Sequence, residues 1–248
     1  MSCHIPANSP MDSTKRQARR AGFLYLLANL AAPFALLYLP RLLIVPGDAT
    51  ATADHVRASI GLVRLGIAAE LINGSVVVFA ALAFYRLFKA VSHTHARAML
   101  VLVLVAVPIA LLNVLNQVAA LVLARHPDFL AAFNAQQLDG LVLLFLRLHN
   151  YGYVISGTFW GLWLFPFGIL AMRSGFIPWL IGLLMLLAGV PYVVTAFTSL
   201  AAPQFNFIAN WLDPLMAGEL PMLIWLLVWG AKDQAGRSAV PAPALASI

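Results

Sequence analysis

Two glutamates and one histidine are the residues that could do chemistry in this very apolar chain. Glu70, Glu219 and His149 lie within or beside long hydrophobic stretches, where ionisable side chains are costly and often functional. A carboxylate and an imidazole can act as acid and base, hold a polar ligand, or tie two helices together. The chain lacks the Gly-x-Ser-x-Gly, His-Glu-x-x-His and P-loop motifs. Whether the protein is an enzyme is therefore left open by its sequence.

Uncharged polar side chains accompany these three groups. Asn113, Asn116 and Gln117 are spaced i, i+3 and i+4, which places them on one helix face. Polar residues also surround the histidine in the segment LFLRLHNYGY. The residues that we predict to line a binding site are Glu70, Asn73, Asn113, Asn116, Gln117, Arg147, His149, Asn150 and Glu219.

The histidines and the cysteine do not follow a metal-binding pattern. His149 is the only histidine within or near an apolar stretch, which argues against a haem held by two histidines in the membrane. His55, His126 and His149 match no zinc spacing. The single cysteine, Cys3, cannot form an intramolecular disulfide. We therefore predict neither a metal nor a cofactor.

The composition indicates that the surroundings of this chain are lipid. Of its 248 residues, 62% are hydrophobic and 10% are charged, whereas a soluble domain carries about 25% charged residues. The net charge is +6, but the basic residues lie in short clusters between apolar runs. A nucleic-acid-binding protein concentrates them on one face, so no nucleic-acid partner is predicted. A homo-oligomer and a membrane partner protein are both left open.

Apolar stretches long enough to cross a bilayer recur along the chain. Each reaches or approaches the ~20 residues that span ~30 Å of hydrocarbon. Since a helix satisfies its own backbone hydrogen bonds, we predict an all-α, polytopic membrane helix bundle. Its six spans are 21–39, 66–86, 98–124, 151–172, 178–200 and 214–231. The corresponding division is a polar cytoplasmic tail (1–20), a transmembrane domain (21–231) and a disordered cytoplasmic tail (232–248).

The distribution of lysine and arginine predicts the direction in which the bundle faces. If the N-terminus lies inside the cell, ten basic residues fall in inner segments and three in outer loops. The inner ten are Lys15, Arg16, Arg19, Arg20, Arg86, Lys89, Arg97, Arg173, Lys232 and Arg237. The outer three are Arg41, Arg57 and Arg125. This bias predicts a multi-pass protein of the cell (inner) membrane with both termini cytoplasmic.

Capping residues predict where two helices begin. In the first outer loop, Asp48 or Thr50 can cap a short surface helix over residues 51–60. Asp213 followed by Pro214 has the pattern of an N-cap and a first helical turn, which predicts the start of the last span.

Two glycines predict a close contact between helices. Gly157 and Gly161 are separated by three residues, a spacing that lets a second helix approach the backbone. The second helix can belong to the same bundle or to another copy, and we favour the same bundle.

Counting residues along the spans places the polar side chains in the outer half of the bundle. At 1.5 Å per residue, Glu70 lies in the outer third of its span and Glu219 lies about 8 Å inside the last span. We therefore predict one polar chamber that opens outward, with LFLRLHNYGY at its rim. Arg147 is the predicted partner of one glutamate, and Tyr151 and Tyr153 are predicted to lie in the aromatic belt.

Three functions fit this pattern. The first is binding or translocation of a small polar or lipid-like molecule through the chamber. The second is a non-catalytic membrane component that partners another protein, in which the polar side chains only join helices. The third is an intramembrane enzyme in which Glu70 or Glu219 works with His149 as acid and base. The absence of a nucleotide-binding motif excludes a self-contained ATP-driven pump.

Several segments resemble one bacterial membrane family. They are LIVPGDATATA (43–53), RLGIAAEL (64–71), LFLRLHNYGYVISGTFWGLWLFPFG (144–168) and RSGFIPWLIG (173–182). Their order and spacing are similar to those of the family called domain of unknown function 4386, from about residue 18 to residue 232. The resemblance implies a multi-span fold and supplies no catalytic residue. The family usually has an acidic residue where this chain has Arg147, so the resemblance gives Arg147 no role.

Overall fold

The computed structural model describes residues 10–30 and 33–231, and this part of the chain is helical without a strand. Six helical segments are long and apolar enough to cross a membrane. They are Thr14–Leu43, Ile60–Phe88, His93–Leu123, Ala135–Ser174, Trp179–Ala201 and Pro203–Val228. The predicted six-span helical bundle is thereby confirmed. The predicted disordered tail (232–248), Cys3 and the other residues before Pro10 lie outside the described residues.

The helices follow one another in chain order with short connections. They are α1 (Pro10–Leu30), α2 (Leu39–Leu43), α3 (Ala49–Ala58), α4 (Ile60–Phe88), α5 (His93–Leu123), α6 (Ala135–Ser174), α7 (Trp179–Ala201), α8 (Asn206–Leu212) and α9 (Leu220–Val228). A π-helical segment covers Pro33–Tyr38, and 3₁₀ turns cover Asp128–Leu130, Pro203–Phe205 and Asp213–Glu219. Helix α1 begins within the segment predicted as a polar tail. In space, α6 packs against α5 and α7, α4 packs against α5 and α1, and α9 packs against α1 and α7.

Local sequence signals explain where helices begin and end. The Asp48 side chain accepts a hydrogen bond from the backbone of Ala51 at 2.8 Å, so the predicted short helix exists as α3. Asn134 and Gln137 form a reciprocal capping box at the start of α6. Gly175 ends α6 in a left-handed conformation (φ 73°), which a residue without a Cβ adopts at little cost.

The start of the last span differs from the prediction. Asp213 does not cap a new helix there, because α8 runs directly into the 3₁₀ turn Asp213–Glu219, and the span begins at Pro203. Pro214 lacks a backbone N–H, which favours the tighter turn at this point. As a result, Glu219 directly precedes α9 and lies 16 residues after the start of the span at Pro203, where the prediction placed it five residues after a start at Pro214.

Two separate hydrophobic cores occupy the two ends of the bundle. The end formed by α3, the last turns of α5 and the first turns of α6, called the α3 end, is filled by residues such as Leu39, Val56 and Val142. The opposite end has a larger core that includes Phe88 and Phe167. The buried polar side chains of the central spans lie between these two cores.

Glycines let α6 and α7 touch along their backbones. A Cβ on Gly161 would lie 2.7 Å from the backbone oxygen of Gly189, and a Cβ on Gly168 would lie 2.6 Å from that of Gly182. The close helix contact predicted from the sequence is thus confirmed for Gly161, and the helix that it contacts, α7, belongs to the same bundle. The neighbouring Gly157 has no atom within 4 Å of its ideal Cβ position.

Candidate functional site

A buried glutamate, glutamine and histidine meet where α4, α5 and α6 pack together. Gln117 Nε2 donates to Glu70 Oε1 at 2.6 Å, and His149 Nε2 lies 3.1 Å from Glu70 Oε2. Gln117 Nε2 is also 3.0 Å from His149 Nε2. The side chains of His149 and Glu70 are only 5% and 9% exposed. These three residues, called the glutamate–histidine site, were all in the predicted set.

The neighbouring amides hold α5 against α6. Asn113 Nδ2 donates to the backbone oxygen of His149 at 2.7 Å, and Asn116 Nδ2 donates to Asn113 Oδ1 at 2.9 Å. Asn113 fits only because residue 152 is glycine, since a Cβ there would lie 2.0 Å from Asn113 Oδ1. Gly152 is thus the reason that LFLRLHNYGY can approach α5. These two hydrogen bonds join Asn113 and Asn116 to each other and to the backbone of α6.

Arg147 does not pair with either glutamate, which corrects the prediction. Its side chain is exposed, and the hydrogen-bond partners of Glu70 are Gln117 and His149. The reason is helical geometry: Arg147 precedes His149 by two residues and so points about 200° away from it around α6. Asn150 is also exposed, and it borders a cavity of about 20 Å³ that reaches His149.

The second buried glutamate has only tyrosine partners among the described residues. Tyr25 of α1 donates to Glu219 Oε2, and Tyr192 of α7 donates to Glu219 Oε1 at 2.8 Å. Phe84 and Trp163 pack edge-on against the ring of Tyr25, with centroids 5.6 and 6.0 Å away. The tyrosine hydroxyls therefore hold the carboxyl group in a fixed position between α1, α7 and α9. Tyr25, Tyr192 and Glu219 are called the tyrosine–glutamate site.

This second site borders the aromatic cavity, which has a volume of about 150 Å³. Along α4 it extends from Asn73 to Ala81, about 12 Å at 1.5 Å per residue. Alanine and valine side chains cover part of its wall. Its aromatic and polar lining residues are Tyr25, Asn29, Asn73, Tyr153, Trp160, Trp163, Tyr192 and Glu219.

Two polar atoms of the cavity lining lack a hydrogen-bond partner in the described part of the chain. They are the side-chain oxygen of Asn73 and the indole nitrogen of Trp160, and both are buried. A buried polar group without a partner costs about 1–3 kcal/mol. Such a cost is unusual for side chains that serve only to pack helices together. The Asn73 oxygen is thus an acceptor, and the Trp160 nitrogen a donor, that lie next to the cavity.

The predicted residues are divided between two sites, whereas the sequence pattern suggested one chamber. Glu70, Gln117 and His149 lie at the glutamate–histidine site, and Asn73 and Glu219 line the aromatic cavity. Tyr153, which was also predicted to lie in an aromatic belt, lines the cavity and interacts electrostatically with Glu70 and Glu219.

Sequence reasoning missed the aromatic members of the cavity. Tyr25, Tyr192, Trp160 and Trp163 sit in apolar stretches, where an aromatic residue normally indicates core or a membrane interface. A signal was nevertheless present, because the hydroxyl of a tyrosine at membrane depth needs a partner.

An ion-pair cluster at the α3 end was also missed. Arg57 of α3 donates to Asp139 Oδ1 at 2.9 Å and to Asp54 Oδ1 at 2.7 Å. These hydrogen bonds, the one to Asp139 foremost, raise the pKa of the Arg57 guanidinium above its ordinary value. Arg57 also donates to the backbone oxygen of Ala124. It therefore fastens α3 to α5 and α6, and the Asp139 side chain is 5% exposed.

Metal binding is not indicated by the arrangement of side chains. Within residues 10–30 and 33–231, no group of three or more His, Cys, Asp or Glu residues could hold a metal ion. The arrangement offers a carboxyl group in contact with an imidazole at the glutamate–histidine site and a carboxyl group beside aromatic rings at the cavity.

Comparison with known families identifies the chain. The family model described as Domain of unknown function (DUF4386) matches residues 20–230, so the protein belongs to this family. No curated protein matches the chain, and no solved structure matches it. With its six apolar helices, the chain is a multi-pass membrane protein, and its family has no assigned activity.

Proposed function

We propose that this DUF4386 protein binds a small organic cation in the aromatic cavity, with Glu219 as the opposite charge. The observation that carries the proposal is a buried carboxyl group at the wall of a cavity lined by tyrosine and tryptophan rings. The substrate class expected from the sequence, a small polar or lipid-like molecule, is narrowed to molecules with a positive charge and an apolar body.

The partners of Glu219 favour a cation over an anion or a neutral sugar. The Glu219 carboxyl group accepts hydrogen bonds from two hydroxyl groups, which favour its charged form, and no basic side chain of the described residues is hydrogen-bonded to it. The faces of aromatic rings attract cations within ~6 Å of the ring centroid, by roughly 0.5–2 kcal/mol each. Tyr25, Tyr192 and Trp163 lie on the cavity wall around the carboxyl group. Charge and ring faces thus favour the same ligand.

The size of the cavity limits the ligand. Its volume is about 150 Å³, and an apolar cavity of roughly that volume holds a benzene-sized molecule. A primary amine or a quaternary ammonium ion with one small ring or a few carbon atoms fits this space. Asn29 lines the cavity and is exposed, which favours access from the side of the bundle.

The proposal is tested by direct binding to the purified protein in lipid nanodiscs. Calorimetry would compare benzylammonium with benzyl alcohol, which has a similar shape and no charge. We expect benzylammonium to bind at least about tenfold more tightly, and Glu219→Gln to lose that advantage, a change of about 1.4 kcal/mol.

Asp213→Asn is the matched control, because it removes an exposed carboxylate from the same span. Its affinity for benzylammonium should equal that of the wild type. Equal affinity for the charged and neutral probes, or full binding by Glu219→Gln, would show that the cavity does not select cations.

We also propose that the protein lies in the bacterial inner membrane with its α3 end on the external side. The lysine and arginine distribution supports this orientation. Reporter fusions after Lys89 and Arg173 should then report the cytoplasm, and fusions after Thr50 and Asp128 the external side. A cytoplasmic report after Asp128 would contradict the orientation.

A further inference from the structure

We propose that Glu70 and His149 form a proton-binding site that takes up and releases one proton, apart from the aromatic cavity. The pair is buried, its two side chains are in direct contact, and the cation-binding proposal makes no use of it. The inference therefore stands or falls independently of that proposal.

The contact itself requires a hydrogen atom between the two residues. His149 Nε2 and Glu70 Oε2 are 3.1 Å apart, a distance at which two lone pairs would repel each other. The hydrogen can belong to a neutral imidazole in its Nε2–H tautomer, to an imidazolium, or to the carboxylic acid. In the first case the pair carries one net negative charge in a buried place. Uptake of one further proton, by His149 or by Glu70, gives a pair without net charge.

The charges around the pair do not replace that proton. From α5 it is faced by the amides Asn113 and Gln117, and from α2 and the π-helical segment before it by apolar side chains. From α6 the nearby titratable group is Tyr153, which interacts electrostatically with Glu70. Charged side chains of the neighbouring turns point elsewhere: Arg64 and Arg147 are exposed, and the guanidinium of Arg57 on α3 is bonded to Asp139 and Asp54. A mobile proton is thus the positive charge that neutralises Glu70.

A route to water exists on the α3 side of the pair. The cavity of about 20 Å³ beside His149 is bordered by Ile44, Val63 and the exposed Asn150. A cavity needs roughly 10–15 Å³ to hold one water molecule. One water there would touch the imidazole and lie near the end of α2. The proton therefore exchanges with the α3 end of the bundle.

Infrared difference spectra between acidic and alkaline pH test the proposal on the full chain in nanodiscs. We expect a carboxyl or imidazole band change that is lost in both Glu70→Gln and His149→Gln, because the proposed proton is held between the two groups. Potentiometric titration of the same samples should show a loss of about one proton per molecule in Glu70→Gln. Glu219→Gln, which leaves the pair intact, should keep the wild-type signal of the pair.

If the Gln variants fail to fold, ¹⁵N-labelled histidine provides a second measurement, which starts from the wild type. The resonance of His149 is followed as a function of pH. Glu70→Asp retains a carboxyl group and should change the pH at the midpoint of that curve. An unchanged protonation state of both residues over the whole stable pH range would overturn the proposal. A His149 midpoint that is the same in wild type, Glu70→Asp and Glu70→Gln would also overturn it, since it would show that the two groups do not share a proton.

Discussion

Glu70 lies between the two hydrophobic cores, whereas Glu219 is bonded to Tyr25 and Tyr192 at the larger core, and the surroundings of the two glutamates differ. Glu70 is held by a histidine and an amide, and the cavity beside His149 is large enough for about one water. Glu219 is held by two tyrosine hydroxyls beside a cavity of about 150 Å³. One glutamate thus has its partner inside the protein, and the other has room for a partner from outside.

The comparison shows that depth alone does not assign a role to a buried carboxyl group. What differs is the chemistry of the partner and the space next to it. We propose a proton-binding role for the glutamate that has a titratable partner in a close-packed site. We propose a ligand-binding role for the glutamate that has neutral donors beside a cavity. The stability of the protein should therefore depend strongly on substitutions at the glutamate–histidine site and less on substitutions at the tyrosine–glutamate site.

Removal of the histidine is expected to have the largest effect on stability. His149→Leu leaves Glu70 buried without its titratable partner, and breaking a buried pair in this way costs about 3 kcal/mol. The free energy of unfolding in mixed micelles measures it. The double variant Glu70→Met/His149→Leu should recover part of the loss. If His149→Leu changes stability no more than Glu219→Gln does, the two glutamates do not differ as described.

A methyl group at Gly152 should have the next largest effect. In Gly152→Ala the new Cβ displaces the Asn113 amide, which breaks its bond to the His149 backbone and costs about 2 kcal/mol. Gly157→Ala on the same helix adds its methyl group to open space and should be neutral or slightly stabilising. Thermal unfolding of both variants checks the prediction, and equal destabilisation would mean that the glutamate–histidine site is not closely packed.

The smallest effect is expected at the tyrosine–glutamate site. Tyr192→Phe keeps the ring and removes one hydrogen bond to Glu219, which should lower stability by about 1 kcal/mol. Binding of benzylammonium should weaken at the same time, because the carboxyl group loses one of the two donors that hold it in place. If Tyr192→Phe lowers stability more than Gly152→Ala does, the more closely packed of the two sites is the one at Glu219.

The sequence by itself determined the solvent, the helical fold and the family. Few charges and long apolar runs leave the backbone no alternative to helices, so the six spans could be counted without a structure. The cap at Asp48 and the close contact at Gly161 were also readable, since both depend on residues next to each other in the chain or on the size of one side chain. Residue counts placed Glu70, Gln117 and His149 together only as far as the outer half of the bundle.

Only the tertiary structure decided which polar groups meet. Glu219 joins Tyr25 and Tyr192, which are 194 and 27 residues away in the chain, and such pairs depend on how helices rotate and shift against each other. Helical rotation also turned Arg147 away from the glutamates, and the early start of the last span at Pro203 moved Glu219 out of the predicted chamber. In an apolar chain, packing between helices fixes rotation and shift, because lipid-facing and core-facing residues have nearly the same composition and leave no periodic pattern to read.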